Sequence, residues 1–270
     1  MHILVTNDDG VTAPGLLALA QAMKHFGKVS ILAPDRNWSG GGHVKTIDRP
    51  LRIKEYLLSD GTRSLASDGA PSDCVALELL GYYEERIDLV VSGINSAANL
   101  GHDVTYSGTV TAAMEAVIWG VPGIAISLDA GDRSQLEIDF SPAATIAQLI
   151  VDHVINEGIP AGILLNVNVP AGKIHGIQVT RQGLRVYRDR LDQRIDPRGV
   201  PYYWIGGDSP TGIPETGTDI GALDGGFVSL TPLQLDLTSY PAIHSLRKWF
   251  PGSKSENSQR LQKCAIVEEG

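Results

Sequence analysis

From residue 1 to about residue 180, short apolar runs alternate with stretches of helical spacing, and this alternation constrains the chain more than any other feature of it. Strands separated by helices cannot pair as hairpins, so the pattern predicts a mostly parallel sheet with crossover helices, an α/β fold of the Rossmann-like doubly wound kind. ILVTNDDG, Ile3 to Gly10, opens the series as an apolar strand run that stops on two carboxylates and a glycine. Pro14 then sits where a first helical turn accepts it, and Leu16, Leu19, Ala20 and Met23 follow helical spacing until Gly27. Val29 to Ala33 predicts a second strand, Leu51 to Leu57 an edge or hairpin strand, and Pro71 to Leu80 a helix beginning at a proline. Leu89 to Val91, a helix from Thr109 to Trp119, Ile124 to Leu128, a helix from Pro142 to Asn156, and Ile163 to Val169 complete the alternation. In such a sheet the loops after the strands open on one edge, so the loops bearing Asp8-Asp9, Ser39 and Asn95 are expected to meet there.

Beyond residue 180 the character changes. Residues 181 to 198 carry six arginines against three aspartates, and residues 199 to 218 are rich in Gly, Pro and Thr. This reads as a hairpin arm or long excursion, solvated, in contact with another subunit, or offering its arginines to phosphates. Phe227 to Leu230 is expected to return as a strand with Pro232 to Leu237 following it, residues 241 to 250 to form a short amphipathic helix, and the last fifteen or so to fray. The division expected is a catalytic core over 1–180 and an extension over 181–270.

A net charge of −9 weighs against a nucleic-acid polymer as partner, because such binders carry a basic face that releases counterions; a small phosphorylated ligand stays open. Two cysteines, Cys74 and Cys264, are too few for a disulfide framework or thiolate metal cluster. No apolar run approaches membrane length and residues 1 to 8 already resemble a strand, so the expectation is a soluble, cytoplasmic protein without a membrane partner.

The first strand stops on Asp8 and Asp9. Adjacent carboxylates repel unless a cation lies between them; the plain alternative has Asp8 capping the next helix and Asp9 in solvent. With the Ser39 hydroxyl and the Asn95 amide oxygen, the three loops offer only hard oxygen donors, which favours Mg²⁺ or Mn²⁺, and next Ca²⁺, over zinc. Tyr106-Ser107-Gly108-Thr109 precedes a helix, whose free amides and hydroxyls form an anion site unless Ser107 or Thr109 is simply an N-cap. His43 reads equally as a proton donor or phosphate contact and as an ordinary loop histidine. Neither a phosphate-binding loop ending in GK[ST] nor a GxGxxG after the first strand is present, which weakens triphosphatase and dehydrogenase readings.

VTNDDGVTAPG (5–15), APDRNWSG (33–40), GAPSDCVALEL (69–79), DLVVSGINSAANLGHDVTYSGTVTAAMEA (88–116), LNVNVP (165–170), TRQG (180–183) and GTDIGALDGGFVSLTPLQLDLT (217–238) together resemble the SurE, or survival protein E, family. The likeness is collinear over most of the chain. It implies a metal-dependent nucleotidase acting on nucleoside 5′- and 3′-monophosphates, with short polyphosphate as a further substrate. It also implies a Rossmann-like core, an extended C-terminal hairpin and tail exchanged between subunits, and a homodimer or homotetramer. By position, Asp8, Asp9, Ser39 and Asn95 match the family's metal ligands, one divalent ion per subunit, while Asn99, Ser107, Gly108 and Thr109 match its phosphate side. Three departures stand out: Ala97 replaces a usual glycine, Trp38 is bulky before Ser39, and Tyr240 follows Asp236 where many relatives carry histidine. None removes a ligand.

The expected chemistry is metal-assisted hydrolysis with Asp8 mainly a ligand and orienting water, and Asn99 bonding the phosphoryl oxygens. An aspartyl nucleophile at Asp8 is the mechanistic alternative, and a nucleotide-binding regulator or a glycosyltransferase are the alternatives of other classes.

Overall fold

The computed structural model describes residues 1–131 and 138–250. The expected fraying of the last fifteen residues, and Cys264, lie outside the described residues. The chain divides after Leu235 into a large unit and a short C-terminal one.

In the large unit, nine strands form one sheet: β1 His2–Thr6, β2 Lys28–Pro34, β3 Ile53–Leu57, β4 Arg63–Ser67, β5 Leu89–Asn95, β6 Gly123–Leu128, β7 Ile163–Val169, β8 Ile177–Val179 and, later in the chain, β11 Val228–Gln234. Their order across the sheet is β3-β4-β2-β1-β5-β6-β7-β11-β8. From β4 to β7 the neighbours run parallel, and β3 and β11 join antiparallel. The chain builds outward from β1 through β2 to β4, then returns to lay β5 on the other side of β1. That reversal opens a crevice between the carboxyl ends of β1 and β5, the usual place for a ligand in an open α/β sheet.

Buried on both faces, β1 uses its alternation to feed two cores. Ile3 and Val5 pack with Leu16, Leu19 and Met23 of helix α1 (Pro14–Met23) and with Ile146 and Ile150 of α4 (Ser141–Glu157). Leu4 packs on the opposite face with Cys74 and Val75 of α2 (Pro71–Leu79) and Ala112 and Ala116 of α3 (Gly108–Ile118). Each such leucine or isoleucine removed from water contributes about 1.5–3 kcal/mol.

Several boundaries and elements differ from the sequence reading. The stretch expected as two pieces, Phe227 to Leu230 and Pro232 to Leu237, holds the single strand β11, which ends at Gln234 and has Pro232 inside it. Pro232 pairs with Leu165 of β7, and β8 stops opposite Leu230, so the missing proline N–H falls where no second neighbour needs it. Three elements escaped the sequence reading: β4, the short β8, and α5 (Asp219–Asp224), whose N-cap Thr218 accepts from the Gly221 amide at 3.0 Å. The polar loop after β5 also contains a 3-10 turn, Gly101–Thr105.

The arginine-rich stretch is a hairpin, β9 (Arg185–Ile195) with β10 (Pro201–Gly212), forming its own two-stranded sheet. Its tip is tied by Asp196, whose side chain accepts from the amides of Arg198 and Val200 at 2.8 Å each. Leu191 and Ile205, cross-strand partners, are 68% and 84% exposed. In the C-terminal unit the described residues carry one helix, α6 (Tyr240–Arg247), opened by a hydrogen bond from the Tyr240 hydroxyl to Asp236.

Candidate functional site

The first loop is built by residues that turn the chain sharply as β1 ends. Asn7, fully buried, accepts the Gly10 amide at 3.2 Å and donates to the Gly10 carbonyl at 3.1 Å. Gly10 has φ of +101°, a conformation that side chains with a Cβ rarely adopt. Asp8 is thereby buried and Asp9 half-buried. Helix α1 has Ala13 as its N-cap without a side-chain cap bond, so Asp8 is not a helix cap.

Asp8 is met instead by α3. The Thr109 hydroxyl donates to Asp8 Oδ1 at 2.5 Å, and the positive end of the helix, at the Gly108 and Thr109 amides, faces the same carboxylate. A glycine is required here because a Cβ at Gly108 would lie 2.6 Å from the Asp8 Cβ. Burial pushes the Asp8 carboxyl above its ordinary value, and the Thr109 hydroxyl with the Thr109 and Gly108 amides pulls it back.

The second loop, which follows β2, is tied to Asp8 itself: the Trp38 amide donates to the Asp8 carbonyl at 2.7 Å, and Ser39 follows Trp38 directly. Asn37 organises the approach, accepting the Ser39 amide at 2.7 Å and donating to Asp9 Oδ1 at 3.4 Å. Arg36 lies over the Trp38 ring, 5.1 Å from its centroid. Beyond the glycines the loop is stapled to two helices. Gly42 donates to the Tyr106 carbonyl at 3.0 Å and accepts the Thr111 hydroxyl at 3.1 Å, while Thr46 donates its amide to Asp73 at 2.9 Å.

His43 Nε2 lies 2.8 Å from Glu115 Oε2, and Trp119 Nε1 donates to Glu115 Oε1 at 2.8 Å. Glu115 is buried, and its carboxyl is held below the ordinary glutamate value chiefly by His43, against the opposing effect of burial. It lies seven residues beyond Gly108, about 10 Å along the helix axis, so the His43 ring is directed along α3 away from the helix N-terminus.

The third loop follows β5. Thr6, the last residue of β1, pairs with Ser92 of β5, so the Asp8-Asp9 loop and Asn95, the last residue of β5, belong to the ends of adjacent parallel strands. Asn95 Nδ2 donates to the Ala97 carbonyl at 2.7 Å, leaving its amide oxygen as the end available to a cation. Asn99 is clamped by residues that the sequence reading did not single out. Its amide donates to Asn168 Oδ1 at 2.7 Å, its carbonyl accepts from Asn166 and Asn168, and its Nδ2 donates to Ser127 Oγ at 2.8 Å. A signal for this existed: Asn166 and Asn168, two apart in a buried strand, put polar groups on one face where an apolar pair would be ordinary. Ser107 caps α3, its Oγ accepting the Val110 amide at 3.1 Å, a role that leaves the hydroxyl hydrogen available to donate.

A divalent cation suits this donor set. All four candidate ligands present oxygen, and a buried carboxylate whose charge burial disfavours is what a bound cation compensates. Among the described residues no group of three or more His, Cys, Asp or Glu gathers to hold a metal, so a zinc-type cluster is not formed there.

The class is thus an α/β protein with a Rossmann-like sheet and an acidic, oxygen-lined site at its reversal point. Comparison with known proteins makes it particular. The family model described as survival protein SurE matches residues 3–189. The 5′-nucleotidase SurE of Herpetosiphon aurantiacus is 51% identical over 249 residues, covering 91% of this chain and 97% of that protein. That of Chloroflexus aggregans is 50% identical over 252 residues, covering 92% and 99%. The crystal structure of the SurE protein from Aquifex aeolicus superimposes with a TM-score of 0.76 at 43% identity, covering 92% of this chain and 99% of that one. The chain belongs to the SurE family.

Proposed function

We propose that this chain is a 5′-nucleotidase: a divalent-metal-dependent phosphomonoesterase that hydrolyses nucleoside 5′-monophosphates, and also 3′-monophosphates and short polyphosphate, to release phosphate. Its curated relatives carry the name 5′-nucleotidase SurE over nearly their whole length. The observation that carries the reading is the 2.5 Å bond from Thr109 to Asp8, which sets a buried carboxylate against the N-terminal end of a helix.

Asp8, Asp9, Ser39 and Asn95 would hold one Mg²⁺ or Mn²⁺, which when bound supplies polarisation of a phosphoryl oxygen and a lowered pKa for water. The residues of the chain do the rest. Asp8 orients the attacking water through the oxygen not bonded to Thr109. The Ser107 hydroxyl donates to the phosphoryl group beside the Gly108 amide, and Asn99, one Nδ2 hydrogen engaged by Ser127, offers the other to the same oxygens. Thr109 contributes by fixing Asp8, and His43 by holding the glycine-rich loop that borders the substrate. Phosphate dianions are drawn in by the helix end and not by a basic surface, in keeping with a net charge of −9. The reading includes a cytoplasmic setting; among the described residues no helix is long and apolar enough to cross a membrane.

The subunit assembly we propose is a homodimer or homotetramer made through the C-terminal extension, supported by the apolar residues exposed along the hairpin, Leu191, Trp204 and Ile205. The decisive experiment is phosphate release from a panel of 5′- and 3′-mononucleotides with Mg²⁺, with Mn²⁺ and with chelator. Release that requires metal is expected. Nucleotide binding without release would make the chain a regulator, and a trapped phosphoryl group on Asp8 would replace the water mechanism with an aspartyl one.

A further inference from the structure

We propose that Asp103 is a positioning residue that couples the root of the hairpin arm to the phosphate side of the site; the inference deepens the nucleotidase reading and rests on it. The side chain of Asp103 faces the arm. Its Oδ2 accepts Arg185 Nε at 2.6 Å and its Oδ1 accepts the Tyr187 hydroxyl at 2.7 Å, both from the first residues of β9. The Arg185 and Asp103 side chains are only 16% and 19% exposed, which shields the pair from the screening that weakens surface ion pairs.

The main chain of the same residue faces the site. The Asp103 carbonyl accepts the amides of Tyr106 at 2.9 Å and Ser107 at 3.1 Å. Ser107 caps α3, and two residues on Thr109 holds Asp8. The second loop hangs on the same stretch through the bond from Gly42 to Tyr106. One residue therefore joins the arm by its carboxylate and the helix end by its carbonyl.

The other end of the 3-10 turn is fixed to the same root. Asp219, fully buried, accepts the Gly101 and Gly183 amides at 2.7 Å each, and Gln182 donates to the Gly101 carbonyl at 2.7 Å. With both ends held, a displacement of the arm root cannot be absorbed by the turn and passes to Ser107. The Tyr187 hydroxyl, pushed up to about 12 by burial and by Asp103, remains a donor throughout any ordinary assay range. An arm that also makes subunit contacts would, by this route, set how tightly phosphate is held.

The test compares wild type with Tyr187→Phe, Arg185→Gln and Asp103→Asn in the full-length protein. It reads mononucleotide kinetics, the metal concentration for half activity, the melting midpoint, and inorganic phosphate affinity by calorimetry on the Mn²⁺-loaded protein. A rise of about tenfold in KM and in phosphate Kd is expected in all three, with kcat within about twofold and the metal requirement unchanged; the melting midpoint stays that of wild type in Tyr187→Phe and falls in the two variants that break the shielded ion pair. Tyr187→Phe, which removes one oxygen, keeps the test valid if Asp103→Asn does not fold. Unchanged KM and phosphate Kd in a stable Tyr187→Phe and Arg185→Gln overturn the inference, and so does a loss of all parameters in step with the melting midpoint. If wild type releases no phosphate from any nucleotide, the nucleotidase reading fails, and phosphate Kd alone then decides whether Asp103 acts as proposed.

Discussion

Thr109 and Asp8, 101 residues apart in the chain, share a hydrogen bond of 2.5 Å between hydroxyl and carboxylate, and no solvent reaches Thr109. The bond fixes one carboxylate oxygen, and the Gly108 and Thr109 amides face the same group. Thr109→Val keeps the shape of the side chain and removes the donor. The half-saturating Mn²⁺ concentration should rise by about 10–100-fold, the range for losing a partner of a metal ligand. Metal titration of phosphate release measures it; an unshifted titration would separate Thr109 from metal holding.

Gly108→Ala tests the closeness of α3 to Asp8. The added methyl would lie 2.6 Å from the Asp8 Cβ, so either the helix end or the carboxylate must move. A displacement of about 1 Å at a reacting group costs on the order of a hundredfold in rate. Steady-state kinetics should show kcat reduced by that order while circular dichroism stays that of wild type.

Asp9→Asn keeps the size of the side chain and removes its charge. Metal-dependent turnover should vanish with the fold intact, and chelator should then make no further difference. Activity equal to wild type would rule out the donor set Asp8, Asp9, Ser39 and Asn95.

Elsewhere in the molecule, Glu78 of α2 is 2% exposed, and burial pushes its carboxyl from 4.5 up to about 7 against the opposing pull of the Tyr83 amide. A raised carboxyl favours folding while it is neutral. Its contribution is therefore complete below about pH 4.5 and is lost as pH rises through about 7. Glu78→Gln cannot ionise, so the variant should match wild type near pH 4 and exceed it near pH 8 by on the order of 2 kcal/mol, allowing for partial screening by solvent. Urea unfolding at the two pH values measures the difference; equal midpoints at pH 8 would show that Glu78 stays charged at little cost.

Leu191→Lys with Ile205→Lys replaces a cross-strand apolar pair that is mostly exposed. If the arm joins subunits, the mass in solution by light scattering should fall with secondary structure unchanged. An unaltered mass would remove the arm from the assembly.

Much of the framework was legible in the chain before any contact was known. Ile163 to Val169 is legible to the residue, because its Ile, Leu and Val, interrupted only by Asn166 and Asn168, stop abruptly between Gly162 and Pro170. The loops bearing Asp8 and Ser39 do follow their strands, since punctuation by Gly, Pro and polar residues is local, whereas the strand expected over Leu89 to Val91 runs on to Asn95, its last residue. The short β8 and the six-residue α5 were missed for the opposite reason: three and six residues hold too little periodicity to register. Pro232 was read as a break because its tolerance depends on which neighbour is absent beside it, which is a property of the sheet.

By itself, the sequence determined that strands and helices alternate, that two carboxylates end the first strand, and that oxygen donors close the next two loops on the same edge. Those facts follow from the two periodicities of the backbone and from turn chemistry. Only the tertiary structure decided which side chains meet. Thr109 finds Asp8, Glu115 finds His43, Asn166 and Asn168 hold Asn99, and Asp103 joins Arg185 and Tyr187. These partners lie tens of residues apart, brought together by the order β2-β1-β5-β6-β7 and the return of the chain past residue 180. Strand order is set by the packing of whole elements against two cores, and no local pattern of residues encodes it.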